Sequence, residues 1–189
     1  MKMWVGCLAA YNSGRLFGEW HDVSTDAEEN SATIADVLTR SPIKGAEEWA
    51  LMDSEGPRAL VDLLGENPGY DTLADAARIE GEIDALGRPD DVDAILGVML
   101  DGVRASDLAD LDAEEWFSDH FAGEGDTLAD WCSEFLDDTG FFGDLPKGDG
   151  RSATIERYFD FESYARDLQL GGDVSTVRSN GRLLVFWSR

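Results

Sequence analysis

A chain of 189 residues that is 43% hydrophobic and 10% aromatic has enough apolar side chains for a folded body, which excludes a disordered acidic tail. Its 40 acidic against 15 basic residues give a formal net charge of −25, and the excess sits in the middle: residues 1–46 carry six acids against four bases, residues 47–149 carry 29 against five, and residues 150–189 carry five against six. Charge this concentrated does more than keep a protein in solution; it raises a long-range negative field whose natural partner is a basic groove, not nucleic acid or an anionic membrane.

The first segment, 1–56, reads as a small α+β unit. Met3–Ala10 and Leu16–Val23 are rich in aromatic and apolar residues and flank Tyr11-Asn12-Ser13-Gly14, a pattern that predicts a hairpin. Ala32–Leu38 predicts a short helix that stops before Pro42, and Glu48–Asp53 alternates as a half-buried strand. Gly56-Pro57 breaks the chain. The middle segment, 57–104, is helical throughout. Leu60, Leu63 and Leu64 mark a first helix, Ala76, Ile79, Ile83 and Leu86 a second closed by Gly87 and Pro89, and Val92, Ile95, Leu96, Met99 and Leu100 a third opened by Asp90-Asp91.

The last segment, 105–189, predicts helices followed by a hairpin. Asp112 caps a helix with Glu115 as its box partner, and Trp116, Phe117 and Phe121 form the apolar face. Asp160 caps another helix, with Phe161, Tyr164, Ala165 and Leu168 inward and Gly171-Gly172 at its end. Val174–Arg178 and Arg182–Trp187 bracket Ser179-Asn180-Gly181, and Asn-Gly is a strong hairpin signal. The expectation is an elongated α+β protein of three small domains, with an acidic, DNA-mimicking surface. The six scattered tryptophans read as core anchors. No apolar run approaches the ~20 residues of a membrane helix, and Met3–Tyr11 turns too soon for a signal peptide, so a cytoplasmic protein is expected.

Asp126–Thr139 carries the functional argument. Wound as a helix, it puts Leu128, Trp131, Cys132, Phe135 and Leu136 on one side and Asp130, Glu134, Asp137 and Asp138 on the other. Asp130, Glu134 and Asp138 stand at i, i+4 spacing, where like charges cost about 0.2–0.5 kcal/mol per pair. Acids in the last turn also oppose the helix dipole. No base lies between Arg104 and Lys147, an interval with 13 acids that count as uncompensated on sequence alone. Asp107, Asp110, Glu114, Glu115, Asp119, Glu124, Asp130, Glu134, Asp137 and Asp138 are therefore the candidate partner-binding residues. Duplex DNA presents one charge per about 1.7 Å of axis, so the net charge of residues 47–149 matches about 12 base pairs, or about 40 Å, as an upper bound. Salt adaptation would also lower the pI, but it would acidify the termini as well.

Chemistry is not legible. His21 and His120 lie in separate segments, His120 on an apolar helix face where a packed histidine fits. Cys7 and Cys132 are too few for a disulfide framework or a structural zinc site. Asp110-x-Asp112-x-Glu114 lacks the glycine and the final bidentate glutamate of a calcium loop. No catalytic motif and no phosphate-binding loop occurs, so neither an enzyme nor a cofactor or metal is expected.

The blocks Tyr11-Asn12-Ser13-Gly14-Arg15-Leu16-Phe17-Gly18, Glu47-Glu48-Trp49-Ala50, Asp126–Asp130 with Leu136–Gly140, and Phe159–Leu168, in that order, resemble the ArdA family of antirestriction proteins. Residues 57–104 and Ser54, where the family pattern would have an aromatic, depart from it. The resemblance implies a DNA-mimicking homodimer, carried by mobile genetic elements, that competitively occupies the DNA-binding groove of Type I restriction-modification enzymes. The alternative on charge alone is an acidic interaction protein or chaperone for another basic nucleic-acid-binding partner. A salt-adapted enzyme is disfavoured by the neutral ends.

Overall fold

A computed structural model describes residues 1–142 and 151–188, without the side chains of 151–153. These residues form two compact units, Met1–Trp116 and Phe117–Arg189. Asp144 and Lys147, which entered the charge count, lie outside the described residues.

The first unit begins with an antiparallel sheet of order β2-β1-β3, in which β1 (Lys2–Cys7) is flanked by β2 (Gly18–Asp22) and β3 (Trp49–Glu55). Met3, Val5 and Cys7 are buried, as the alternation of a strand covered on one face requires. The predicted hairpin exists as a pairing, but its connection is different. The strand stops at Cys7, and Leu8–Asn12 closes one helical turn, α1, before Gly14 reverses the chain at φ 79°. Leu8-Ala9-Ala10 are good helix formers with no β-branched residue among them, which explains the early end of the strand. Between Trp4 and Val5 the register against β3 slips past Met52. Gly6 makes room for the displaced side chain, since a Cβ there would lie 2.2 Å from Met52 Sδ.

Helix α2 (Ala27–Thr39) starts five residues before the predicted Ala32. Its opening turn is polar and carries no stripe, but Asp26 accepts hydrogen bonds from the Glu28 and Glu29 amides, and Glu28 and Glu29 suit the positive end of the dipole. Buried Asn30 is satisfied by the Ser24 backbone through Oδ1 and Nδ2, at 2.9 and 2.8 Å. The helical stripes of the middle of the chain become α3 (Arg58–Leu64), α4 (Tyr70–Ala85) and α5 (Val92–Met99). Leu60, Leu64, Leu73, Ala76, Ile79, Ile83, Ile95, Leu96 and Met99 are buried from them. Two 3₁₀ turns, Pro89–Asp91 and Ala105–Asp110, complete the unit, the second anchored by fully buried Leu108.

Helix α6 (Ala113–His120) carries the chain across the division between units. In the second unit the sheet order is β4-β6-β5, all antiparallel, with β6 (Arg182–Trp187) central between β4 (Phe121–Gly125) and β5 (Val174–Ser179). The hairpin closes with Asn180 at φ 48° and Gly181 at φ 85°, the left-handed pair that a two-residue turn demands. Leu183, Val185 and Trp187 of β6 meet Trp131 and Cys132 of α7 (Leu128–Asp138) and Ala165 of α9 (Phe161–Gly171), in a core completed by Val174. On the other face, Phe186 packs edge-on against Phe117 and Phe121. Asp160 accepts from the Ser163 amide at 2.9 Å, and Gly172 ends α9 in the left-handed region. Hydrogen bonds from Ser163 N–H and O–H hold the Asp160 carboxyl below the usual carboxylate range, so this cap is intact at neutral pH and fails as the solution turns strongly acidic.

Strand β4 and helix α8 (Arg151–Tyr158) were not expected from sequence. Phe121 therefore opens a strand and does not lie on the preceding helix. Phe-Ala-Gly-Glu-Gly has no β-branched residue, and its glycines serve the packing of Trp131 instead. Gly123 stands at φ 135°, and a Cβ there would lie 2.8 Å from Trp131 Nε1, whose N–H donates to Ala122 O at 3.1 Å. Among the described residues no helix is long and apolar enough to cross a membrane. Gly123→Ala should destabilise the protein by about 1–3 kcal/mol through backbone strain and the tryptophan clash, read as a lower denaturant midpoint. Gly81→Ala is the control, since a Cβ there meets open space.

Candidate functional site

The candidate acids fall on both units, and two of them are paired with arginines, one through a local contact and one through strand pairing. In the first unit, Asp107 and Asp110 flank buried Leu108 on the 3₁₀ turn, and Glu114 and Glu115 occupy the first turn of α6. Asp112 caps that helix by accepting from the Glu115 amide at 2.8 Å, which leaves the Glu114 and Glu115 side chains exposed. Asp107 is paired: Arg104 Nε lies 3.1 Å from its Oδ2. The Ser106 hydroxyl and then Arg104 hold the Asp107 carboxyl below its usual range.

In the second unit, α7 is organised as its periodicity requires. Trp131, Cys132 and Leu136 are buried, Leu128 and Phe135 pack against the same core, and Asp130, Glu134, Asp137 and Asp138 are exposed. Successive i, i+4 carboxylates advance about 6 Å along the axis. The helix starts later than predicted, because Thr127 is its cap: Oγ1 accepts from the Asp130 amide at 3.1 Å and donates to Asp130 Oδ2 at 2.6 Å. Asp130 is thus a structural partner of the cap as well as an exposed acid.

Glu124 lies on β4, half-buried, and Arg182 of β6 pairs with it across the sheet. Together with Glu134 and Asp138 it lines a pocket that Trp131 and Phe135, whose rings stack at 5.1 Å, also line. Asp119 is exposed on α6, and His120 beside it is half-buried.

Two of the central acids that sequence alone counts as uncompensated, Asp107 and Glu124, are paired with arginines. Arg104 was visible in sequence as an i, i+3 neighbour, whereas Arg182 is 58 residues away and reaches Glu124 only through strand pairing. Among the described residues, Asp110, Glu114, Glu115, Asp119, Glu134, Asp137 and Asp138 have no cationic partner. The other central arginines each have a carboxylate within one turn, Arg58 with Asp62 at 3.1 Å, Arg78 with Glu82 at 2.7 Å, and Arg88 with buried Asp91 at 3.5 Å, and Arg78 also bonds backbone outside its helix. Among the described residues no group of three or more His, Cys, Asp or Glu side chains is arranged to hold a metal ion. Burial pushes the Cys132 thiol up to about 11, so it is a packed hydrophobe at neutral pH and no nucleophile.

The carboxylates of α7 do not contribute equally to stability. Glu134→Gln with Asp138→Asn removes like-charge repulsion of about 0.2–0.5 kcal/mol per pair and relieves the C-terminal dipole, so the melting temperature should hold or rise. Asp130→Ala should lower it by disrupting the Thr127 cap. Thermal unfolding of the two variants beside the parent separates the roles.

The family model described as Antirestriction protein (ArdA) matches residues 3–181, almost the whole chain. No curated protein matches it.

Proposed function

The chain belongs to the ArdA family of antirestriction proteins, and from that membership we propose that it is a DNA mimic that competitively occupies the DNA-binding groove of a Type I restriction-modification enzyme. Family membership supports the antirestriction function and a restriction-modification enzyme as partner. The observation that carries the finer reading is the outer face of α7, where Asp130, Glu134 and Asp138 are exposed at successive i, i+4 positions with Asp137 also exposed, over a helix anchored by Trp131 and Leu136.

A basic groove meets this face as it meets a phosphate backbone. Fixed anions at a spacing of several ångströms displace the groove's counterions, and association is driven largely by their release. Exposed carboxylates without cationic partners keep their charge available for an outside cation, while an internal ion pair such as Glu124 with Arg182 contributes less. Inhibition needs no bond making in this mechanism. The protein excludes DNA by holding the site that DNA requires.

A homodimer belongs to the same reading. Apposing two strongly acidic faces would cost too much, whereas residues 150–189 are nearly balanced in charge and expose Tyr158 on α8 and Leu170 on α9. Sedimentation at moderate salt should give about twice the 20.7 kDa chain mass, and a monomer throughout the micromolar range would remove the dimer from the proposal.

The functional reading is tested by competition. The protein should inhibit DNA cleavage by a Type I enzyme, and excess duplex should displace it. Its affinity for the enzyme should fall by about 10³-fold or more between 50 and 200 mM salt if six or more charges are engaged. Failure of duplex to displace the bound protein would contradict occupancy of the DNA site.

A further inference from the structure

Helix α4 carries a charged pair whose bonds leave the helix. Arg78 Nη2 donates to Leu108 O at 2.9 Å, and Nη1 donates both to Leu111 O at 2.9 Å and to Glu82 Oε1 at 2.7 Å. The other Glu82 oxygen, Oε2, accepts from the Ala113 amide at 3.0 Å. One planar guanidinium and one carboxylate thus hold three backbone groups between 108 and 113.

The chemistry suits the task. A guanidinium presents donors in a fixed fork that a lysine ammonium does not reproduce. The Ala113 N–H is one of the amides at the start of α6 that have no partner within the helix. Asp112 satisfies the amide of Glu115, and Glu82 satisfies that of Ala113 from a different helix. Leu108 and Ala113 are fully buried beside the bracket, so the segment is pinned at both ends while Asp110, Glu114 and Glu115 face solvent.

We propose that Arg78 and Glu82 are positioning residues that fix the acidic segment 107–115 in the geometry its carboxylates need to engage a basic groove. The proposal rests on the DNA-mimic reading above. It makes Arg78 a cation that aids binding to a cationic partner. Judged by charge alone, Arg78 would oppose binding, and its removal would tighten the complex. As a positioning residue, its removal weakens the complex although the protein becomes more negative. The sign of the effect separates the two.

The test uses the full chain with Arg78→Gln and Arg78→Lys, each made in the parent and in a background carrying Asp110→Asn, Glu114→Gln and Glu115→Gln. Affinity for a Type I restriction-modification enzyme is measured by displacement of a labelled duplex, and amide hydrogen exchange is followed at Leu111 and Ala113 relative to Ile79. Arg78→Gln should weaken binding on the order of tenfold, a coupling typical of residues in one network. Arg78→Lys, which keeps the charge but not the fork, should lose part of this. Both losses should largely vanish in the neutralised background, and exchange should accelerate at Leu111 and Ala113 but not at Ile79. Unchanged or tighter binding by Arg78→Gln, or an equal loss in the neutralised background, would overturn the proposal. Unfolding of both variants would also overturn it, since the pair would then hold the whole unit. A parent that duplex cannot displace would overturn the underlying reading instead, and the exchange at Leu111 and Ala113 would still report whether the bracket holds the segment.

Discussion

Repulsion among neighbouring carboxylates is the constraint under which both units fold. At physiological salt the screening length is about 8 Å, longer than the ~6 Å step between successive acids on α7, so these charges feel one another. Each pair costs only a few tenths of a kcal/mol, but the cost recurs along the chain. It is offset by burial of large apolar groups. Truncating a buried tryptophan or phenylalanine typically costs about 3–5 kcal/mol, so Trp131, with Leu136 beside it, outweighs the repulsion on the opposite face of its helix. The stripes stay narrow, with Leu73, Ile79 and Ile83 of α4 and Trp131 and Leu136 of α7 buried in them.

The same constraint explains how the few cations are used. Spread over the acidic faces they would relieve repulsion. Instead, Arg78 holds carbonyl oxygens of Leu108 and Leu111, and Arg88 faces the buried carboxylate of Asp91. Arg182 joins a strand to its neighbour through Glu124. Arg58 and Arg104 pair with Asp62 and Asp107 one turn away, and Arg78 bonds backbone carbonyls of another segment. Among the described residues, the solvent-facing acids at 110, 114, 115, 119, 134, 137 and 138 have no cationic partner.

Where local pattern decides structure, the sequence was legible. The stripe at Ala76, Ile79 and Ile83, the Asp160 cap, the Asn180-Gly181 turn and the two faces of α7 all follow from periodicity and capping, and family resemblance was readable from blocks at both ends of the chain. Where tertiary packing decides, it was not. Strand β4 has a composition that argues against a strand and exists because β6 offers an edge and Gly123 admits the Trp131 ring. The opening of α2 is polar and is set by the Asp26 cap. At the candidate site, the exposure of the α7 acids was visible from helical spacing. Neutralisation of Glu124 depended on a strand pairing across 58 residues, and the bracket from α4 on an approach that no local pattern records.

The central claim is that exposed carboxylates are themselves the contact surface, and chemical footprinting of carboxyl groups on the complex with a Type I enzyme addresses it most directly. Carbodiimide labelling followed by peptide mapping reports each acid separately. Glu134, Asp137 and Asp138 on α7, with Asp110, Glu114 and Glu115 before it, should be protected on binding, while Glu28 and Glu29 at the start of α2 should label as in the free protein. Protection at Glu28 and Glu29 with α7 fully reactive would contradict the claim.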